Sequence, residues 1–442
     1  MDDKIYIAIT IQNMVQFYSM KNGIDALLRE GYIVHIYVPL SDDSSGFGTM
    51  FDSTFNYLIN LGYSPLRITD NTIEYKILLE PYPMHWFADL KYKYRLKYKY
   101  SLLTAKPNLV YKPENNICYD AILCYGMYEA NFLKVFSNVE LIGNLKYLNL
   151  KPLTKPSTNK PILLYLPTYG DVSSIRNITS QLEKLKQKYY IITKFHHGTS
   201  FLQEEKDETI PIRNISDQCY DHKTELAQLL SIVDVVLSDN SGAIFESLYA
   251  KKPVAIYCEN INANKYGNFD TIQYQLVQNG YIPYTNILEK IDNILDQALS
   301  EQFVKKQLEI RNKLFYFPDD PLNDFLQIIK KYLNDDIDAN YKAVHDILYS
   351  SYENYISENN SLLYTISSKN TELLDLKAKL SDLEYDVLNK NKTIDQQNSL
   401  INQLNKDIAF KDLTIQYYEH GKLYKLSKKI YKTYHKIKKR SK

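Results

Sequence analysis

The chain is poor in the residues that usually give a function away. Glycine occurs 13 times in 442 residues, tryptophan once and cysteine four times. The cysteines, at 118, 124, 219 and 258, never fall at C-x-x-C spacing and lie in or near apolar runs. That excludes a thiolate metal knuckle and points to reduced, buried thiols in a reducing compartment. No stretch approaches the roughly 18 apolar residues of a membrane-spanning helix. The first apolar run, Lys4 to Ile9, is short and starts after two aspartates, so no secretory leader is expected. The loop behind it lacks the glycine-rich dinucleotide fingerprint, which removes any reason to expect nicotinamide or flavin. No cofactor is expected.

Acid is missing from one place in particular. Residues 421 to 442 hold ten Lys or Arg and no Asp or Glu, and removing those ten charges from the net +1 leaves the rest of the chain at −9. An acidic body argues against a broad nucleic-acid surface, and a basic tail argues for an anionic partner. The frequent Tyr, Lys, Asn and Ile fit a base-composition bias and are not read as a binding signal. The run KYKYRLKYKY at 91 to 100 could stack bases as single-strand binders do, but an exposed helix or edge element is the expected reading.

What is present is organised around Leu229 to Tyr257, LLSIVDVVLSDNSGAIFESLYAKKPVAIY. An apolar run breaks on Ser238, Asp239, Asn240, Ser241 and Gly242, resumes as an amphipathic helix and returns to a second apolar run. This is a strand, turn, helix, strand unit of a parallel sheet. The break lies at the carboxyl end of a strand and the amino end of a helix, where unpaired N–H groups and the helix dipole hold anions. A helix cap would need one such residue, and the chain supplies a row of them. Glu246, one turn further, could accept ribose hydroxyls or merely complement the dipole.

Earlier, residues 4 to 38 read as strand, helix, strand, with a small-residue loop at 41 to 50 facing the cleft. His35 reads as packing. His85 and Trp86 follow two prolines and could line a pocket. Lys151 to Pro161, with three prolines in addition to lysines, reads as a hinge. A second βαβ series follows: Ile162 to Leu166 ending at Thr168, Tyr190 to Phe195 ending on His196 and His197, a short strand near Ile210, then the organising unit. Three strand ends thus bring Thr168, the histidines and the 238 to 242 loop to one sheet edge. Adjacent strand histidines point to opposite faces, so at most one of the pair is expected to face the cleft. They lack acidic or cysteine partners, and no metal site is expected. A strand-tip histidine can act as general base or donate to phosphate charge, and a solvated loop histidine is the plain alternative.

Together, YLPTYGD, KFHH and VVLSDNSGAIFESLYAKKPVAIY resemble the CDP-glycerol glycerophosphotransferase family of teichoic acid and capsule synthesis. That family reads P-T-W-R, R-L-H-P, L-I-T-D-Y-S-S-x-x-F-D and K-P-x-x-F-Y in the same order. The resemblance implies a GT-B fold of two Rossmann-like domains, an acceptor domain over 1–150 and a nucleotide-donor domain over 151–320. It places His196 on the family's histidine, Thr168 on its threonine, Ser238, Asp239 and Ser241 on its phosphate loop, and Glu246 on its ribose ligand. The expected catalytic residues are His196 and Asp239. Thr168, Ser238, Asn240, Ser241, Gly242 and Glu246 are expected to bind the donor, with His197 and His85 as secondary candidates. Gly170 stands where the family has Arg, His197 where it has Pro and Gly242 where it has Ser. The family's H-G-x-x-L-K motif, which supplies a second histidine, has no counterpart between residues 80 and 120.

Between Pro321 and Gly421 there is neither glycine nor proline. Ile366, Leu373, Leu380, Val387, Ile394, Ile401, Ile408 and Ile415 recur every seven residues, the seam of a parallel coiled-coil dimer. Lys369, Lys390, Gln397 and Lys411 weaken its second position. Residues 321–420 are therefore expected to be helical linker and coiled coil, and 421–442 a basic amphipathic helix. Leu423, Leu426, Ile430, Tyr434 and Ile437 form its apolar stripe, suited to an anionic inner membrane surface.

The expected protein is a cytoplasmic, peripherally membrane-bound transferase. It would move glycerol phosphate or a related group from a CDP-activated donor to a hydroxyl of a surface polymer or lipid-linked acceptor. A capsule glycosyltransferase using a UDP- or CMP-sugar, a nucleotide-sugar epimerase, and a non-enzymatic coiled-coil scaffold with a degenerate transferase body are the alternatives.

Overall fold

Short apolar runs become parallel strands, and in the computed structural model they gather into two sheets. Residues 1–3, 41–47, 68–72, 82, 84–88, 104–110, 197, 200–202, 222, 264–269, 420–422 and 440–442 lie outside the described structure, and with them most of the small-residue loop at 41 to 50, Trp86 and the candidates His85 and His197. The first sheet contains β1 (Tyr6–Thr10), β2 (Ile33–Tyr37), β3 (Pro65–Leu66), β4 (Glu74–Glu80), β5 (Lys91–Lys97), β6 (Ala121–Cys124) and β7 (Asn138–Leu141). Its order is β3-β2-β1-β4-β5-β6-β7. The second contains β8 (Ile162–Leu166), β9 (Tyr190–Lys194), β10 (Gln218–Tyr220), β11 (Val235–Ser238), β12 (Val254–Tyr257) and β13 (Tyr284–Thr285), in the order β10-β9-β8-β11-β12-β13. Every pair in both sheets is parallel. Parallel strands are covered on both faces, which is why β8, β11 and β12 are buried along their whole length.

Two expectations are corrected. The Lys/Tyr run is not a helix: Lys91–Lys97 is β5, paired along its length with β4 and, at Leu96 and Lys97, with β6, so its exposed first half has an edge's character and its end lies inside the sheet. Its period-2 alternation is a strand pattern in which Lys91 and Lys93 stay exposed while Arg95 and Lys97 are enclosed. Lys99 just beyond it pairs with Glu129 at 2.8 Å, both side chains being at most 4% exposed. Arg95 pairs with Glu80 at 2.5 Å, and the Lys97 ammonium donates to Asn115 O and Asn116 Oδ1 at 2.7 and 2.8 Å. Secondly, Ile210 is in a helix, Gln203–Ile215, and the strand lies after it at Gln218–Tyr220. Thr209 and Ile212, three residues apart, are the side chains that helix buries.

Residues 1–349 form one unit holding both sheets. The Pro321–Leu333 helix returns to pack on the Met14–Arg29 helix, with Phe325 fully buried. Gly23 lets the helices approach closely there, since a Cβ would stand 3.0 Å from the Phe325 ring. His35 packs as expected, its Nδ1 at 2.8 Å from the Tyr75 hydroxyl.

The second unit, Ser350–Lys442, takes in most of an 81-residue helix, Ala339–Glu419, and a shorter one, Leu423–Lys438. All eight members of the seven-residue series are about half exposed in the single chain. Near the end of the long helix the Phe410 ring lies 5.2 Å from that of Tyr434. A cavity of about 540 Å³ lies between these helices, lined by Phe410, Leu413, Ile430, Tyr434 and Ile437. Among the described residues no helix is long and apolar enough to cross a membrane.

Candidate active site

Where the carboxyl ends of the second sheet approach the first, a cleft of about 160 Å³ opens. Tyr18 and Tyr100 line it from the first sheet's side, and Pro167, Lys194 and His196 from the second's. The Tyr18 hydroxyl reaches across to donate to Lys223 O at 2.9 Å. Of the expected site residues, the cleft receives His196, Ser241, Gly242 and Glu246. Thr168, Ser238 and Asp239 support the loop from behind.

Ser238 is 1% exposed and donates its hydroxyl to Leu166 O at 2.7 Å, so it joins two strands. Asp239 is fully buried and does not face the cleft as a reacting carboxylate would. Its Oδ1 accepts from Thr168 N at 2.8 Å, and its Oδ2 from Ser174 N and Oγ at 2.9 and 2.8 Å. Burial pushes the Asp239 carboxyl up to about 6 against the opposing pull of those donors. It clamps the loop after β8 to the loop after β11. Thr168, 3% exposed, takes part through its backbone N–H. Asn240 is 1% exposed, and neither polar atom of its side chain has a hydrogen-bond partner.

Ser241 and Gly242 are the part of the loop that lines the cleft. The Ser241 N–H donates to Asp239 O at 2.8 Å and its Oγ accepts from Ala243 N at 3.2 Å, closing the turn into the Ala243–Tyr249 helix. Gly242 has an ordinary φ of −64°. The residue's use is space: only Leu103 O, at 3.4 Å, comes near where a Cβ would sit.

His196 stacks on Tyr169 with ring centroids 4.5 Å apart, and its Nδ1 accepts from Gly198 N at 3.0 Å. A Cβ on Gly198 would meet the Tyr169 ring at 3.0 Å, so the turn packs closely against that ring. With Nδ1 accepting, the neutral ring carries its proton on Nε2, which makes it a donor. Glu246 is 6% exposed, and its Oε2 is held by the Lys146 ammonium at 3.0 Å and the Tyr147 hydroxyl at 2.5 Å.

Three lining residues escaped the sequence reading: Lys146, Lys194 and Glu225. Lys194 ends β9 and donates to Asp221 O at 3.0 Å; burial pushes its ammonium down to about 8, and the charge of Lys146 adds to this. Burial raises the Glu225 carboxyl to about 7, Glu246 reinforcing the rise while Lys146 opposes it. A lysine closing the apolar run Ile191-Ile192-Thr193 was the available signal for Lys194. Nothing local distinguishes Glu225 or Lys146. The cleft therefore brings two ammonium groups, a ring N–H donor and a readily titrated carboxylate to one loop mouth.

Residues 146–321 match the family described as CDP-Glycerol:Poly(glycerophosphate) glycerophosphotransferase. The match is to a transferase family, and the cleft lies where the matched segment faces the first sheet. No curated protein matches the chain by sequence. Among solved structures, a variant of the wall teichoic acid polymerase TagF is 13% identical with a TM-score of 0.52, the match covering 75% of this chain and 89% of that one. A putative UDP-N-acetylglucosamine 2-epimerase from Listeria monocytogenes has the same identity and TM-score, over 76% of this chain and 98% of that one. Both likenesses are of fold, the GT-B-like pairing of two parallel sheets.

Proposed function

We propose that the protein transfers glycerol phosphate from a CDP-activated donor to a hydroxyl of a cell-surface polymer or lipid-linked acceptor. The observation that carries this reading is the pair of ammonium groups lining the cleft, the buried Lys146 and the half-buried Lys194, beside His196 and the Ser241–Gly242 turn. Two cations and a ring N–H suit a diphosphate in a site shielded from water. The acceptor oxygen attacks the phosphorus bearing glycerol, the bond from that phosphorus to the bridging oxygen breaks, and CMP departs with the electron pair. His196 Nε2–H and the lysines stabilise the phosphoryl oxygens. The acceptor proton goes to Glu225, whose raised pKa fits a general base near neutrality. Asp239 and Ser238 act as positioning residues, and Glu246 holds Lys146 in the cleft.

One observation favours a second reading, a UDP- or CMP-sugar donor for capsule synthesis. Gly170, where the family carries Arg, has φ +77°, a conformation an arginine adopts only with strain, so the loop after β8 is shaped differently. Incubation with CDP-glycerol, UDP-sugars and CMP-sugars, each with an acceptor preparation and mass detection of the released nucleotide, separates the two. CMP release with CDP-glycerol supports the first reading. UMP or UDP release, or CMP release with a CMP-sugar alone, replaces it with the second.

The heptad seam pairs two chains in this reading, and the basic tail holds them at an anionic membrane surface through its lysines. Co-sedimentation with phosphatidylglycerol vesicles, and none with phosphatidylcholine vesicles, is the expected result. Equal binding to both would remove the electrostatic anchor.

A further inference from the structure

The cleft occupies the edge where strands end. At the opposite edge of the first sheet, where β6 begins, Asp120 meets the first turns of the Ala339–Glu419 helix. There Lys342 places its ammonium 2.9 Å from Asp120 Oδ1 and 2.6 Å from Asp346 Oδ1. The other Asp120 oxygen accepts from Arg95 N at 2.8 Å. His345 sits in the same group, 5% exposed and stacked on Tyr341, and neither of its ring nitrogens has a hydrogen-bond partner. A buried polar group left unpaired is destabilising, so this imidazole calls for a reason.

We propose that Asp120, His345 and Asp346 form a binding site for a divalent transition ion of the zinc type, with the Lys342 ammonium as its stand-in. One ligand atom from each of the three lies within 4.8 Å of the others. Ligands of a tetrahedral zinc stand roughly 3.3 Å apart, so the set must close by about 1.5 Å at most. Asp346 can supply that movement, its side chain being 54% exposed. Two carboxylate oxygens and one imidazole suit Zn²⁺ or Mn²⁺, whereas Mg²⁺ prefers an all-oxygen shell. Lys342 is one-third exposed and can swing into solvent as the ion enters. The ion would clasp the start of β6 to the root of the long helix, on the edge away from the chemistry.

The test is calorimetric titration of chelator-stripped full-length protein with zinc chloride. The expected wild-type result is one saturable site per chain, with a rise in thermal midpoint as zinc is added. His345→Asn should weaken that site by about 100-fold or more. Lys342→Gln, a substitution at a partly exposed position, should tighten it about tenfold by removing a competing cation. Absence of a saturable wild-type site, wild-type affinity in His345→Asn, or unchanged affinity in Lys342→Gln would each overturn the proposal. Circular dichroism checks that His345→Asn is folded, and if it is not, the Lys342→Gln titration decides alone.

Discussion

The two sheets handle charge in opposite ways. The first carries it inside, along β5 and just beyond, where Arg95, Lys97 and Lys99 are each matched to an acid or an amide. The second keeps its strands apolar and brings charge to their ends, where Lys194 and Glu225 look into the cleft. In the first sheet each charge is answered by a fixed protein partner and so serves the fold. At the cleft, burial moves the Lys194 ammonium down to about 8 and the Glu225 carboxyl up to about 7, with the neighbouring charges adding smaller pushes. Groups so perturbed inside a cleft are the ones to suspect of chemistry. The contrast predicts that substitutions in the first place change stability, and in the second, rate.

The largest effect should come from Glu225→Gln. If Glu225 is the base, turnover falls roughly 10²–10⁴-fold with little change in donor binding. The wild-type rate should climb with pH through about 7, as the carboxyl loses its proton, and the variant should lose that limb. Stability should move the other way. The folded state holds the Glu225 proton more tightly than the unfolded chain, so the group's contribution is present below its ordinary pKa and is lost as pH rises toward 7. At pH 8 the variant should melt no lower than wild type. A pH–rate profile that keeps its limb in Glu225→Gln would remove Glu225 as base.

On the first sheet, Glu129→Ala strands the Lys99 ammonium in a dry interior and should cost about 3–5 kcal/mol in urea denaturation. Replacing both partners with Lys99→Met and Glu129→Leu should recover most of that, because no charge is left unpaired. Equal losses in the single and double variants would mean the pair acts through shape, and the contrast between the sheets would blur.

The same division explains what could be read in advance. The β11, loop, helix and β12 unit was legible because parallel strands buried on both faces are plain apolar runs, and the break between them is a row of small polar residues. β5 was hidden because alternating lysine looks solvated, and its partners Asn116 and Glu129 lie far along the chain. At the site, Ser241 and Gly242 reach the cleft while Ser238 and Asp239 turn from it. Which face of a four-residue loop looks outward depends on hydrogen bonds to Leu166, Thr168 and Ser174, which a linear pattern does not carry. Lys146 and Glu225 come from segments with no motif, and only folding sets them beside Lys194.

Asp239→Asn tests the supporting role within the second sheet. Asparagine keeps one acceptor but turns N–H groups toward donors, so a loss of about 1–3 kcal/mol is expected. The carboxyl's raised pKa means the folded state favours its protonated form. Wild-type stability from this group therefore falls as pH climbs from about 4 to about 6, and the gap to the variant should narrow over that window. Donor affinity should drop through displacement of Ser241 and Gly242, not through loss of a contact. If turnover fell as far as in Glu225→Gln at unchanged stability, Asp239 would be a reacting group after all.

The smallest effect concerns the long helix, where apolar side chains stay about half exposed at every seventh position. Under the proposed pairing of two chains, a partner helix would cover that series. Lys390 occupies the seam's other position, where a dimer must hold a charge beside apolar neighbours. Lys390→Leu should then tighten the dimer about tenfold, measured by sedimentation across a dilution series. The same change on an unpartnered helix would leave the molecule monomeric at every concentration, or aggregate it without a defined stoichiometry. A discrete dimer that strengthens at position 390, with the transfer rate untouched, would place association in the helical unit and chemistry in the cleft.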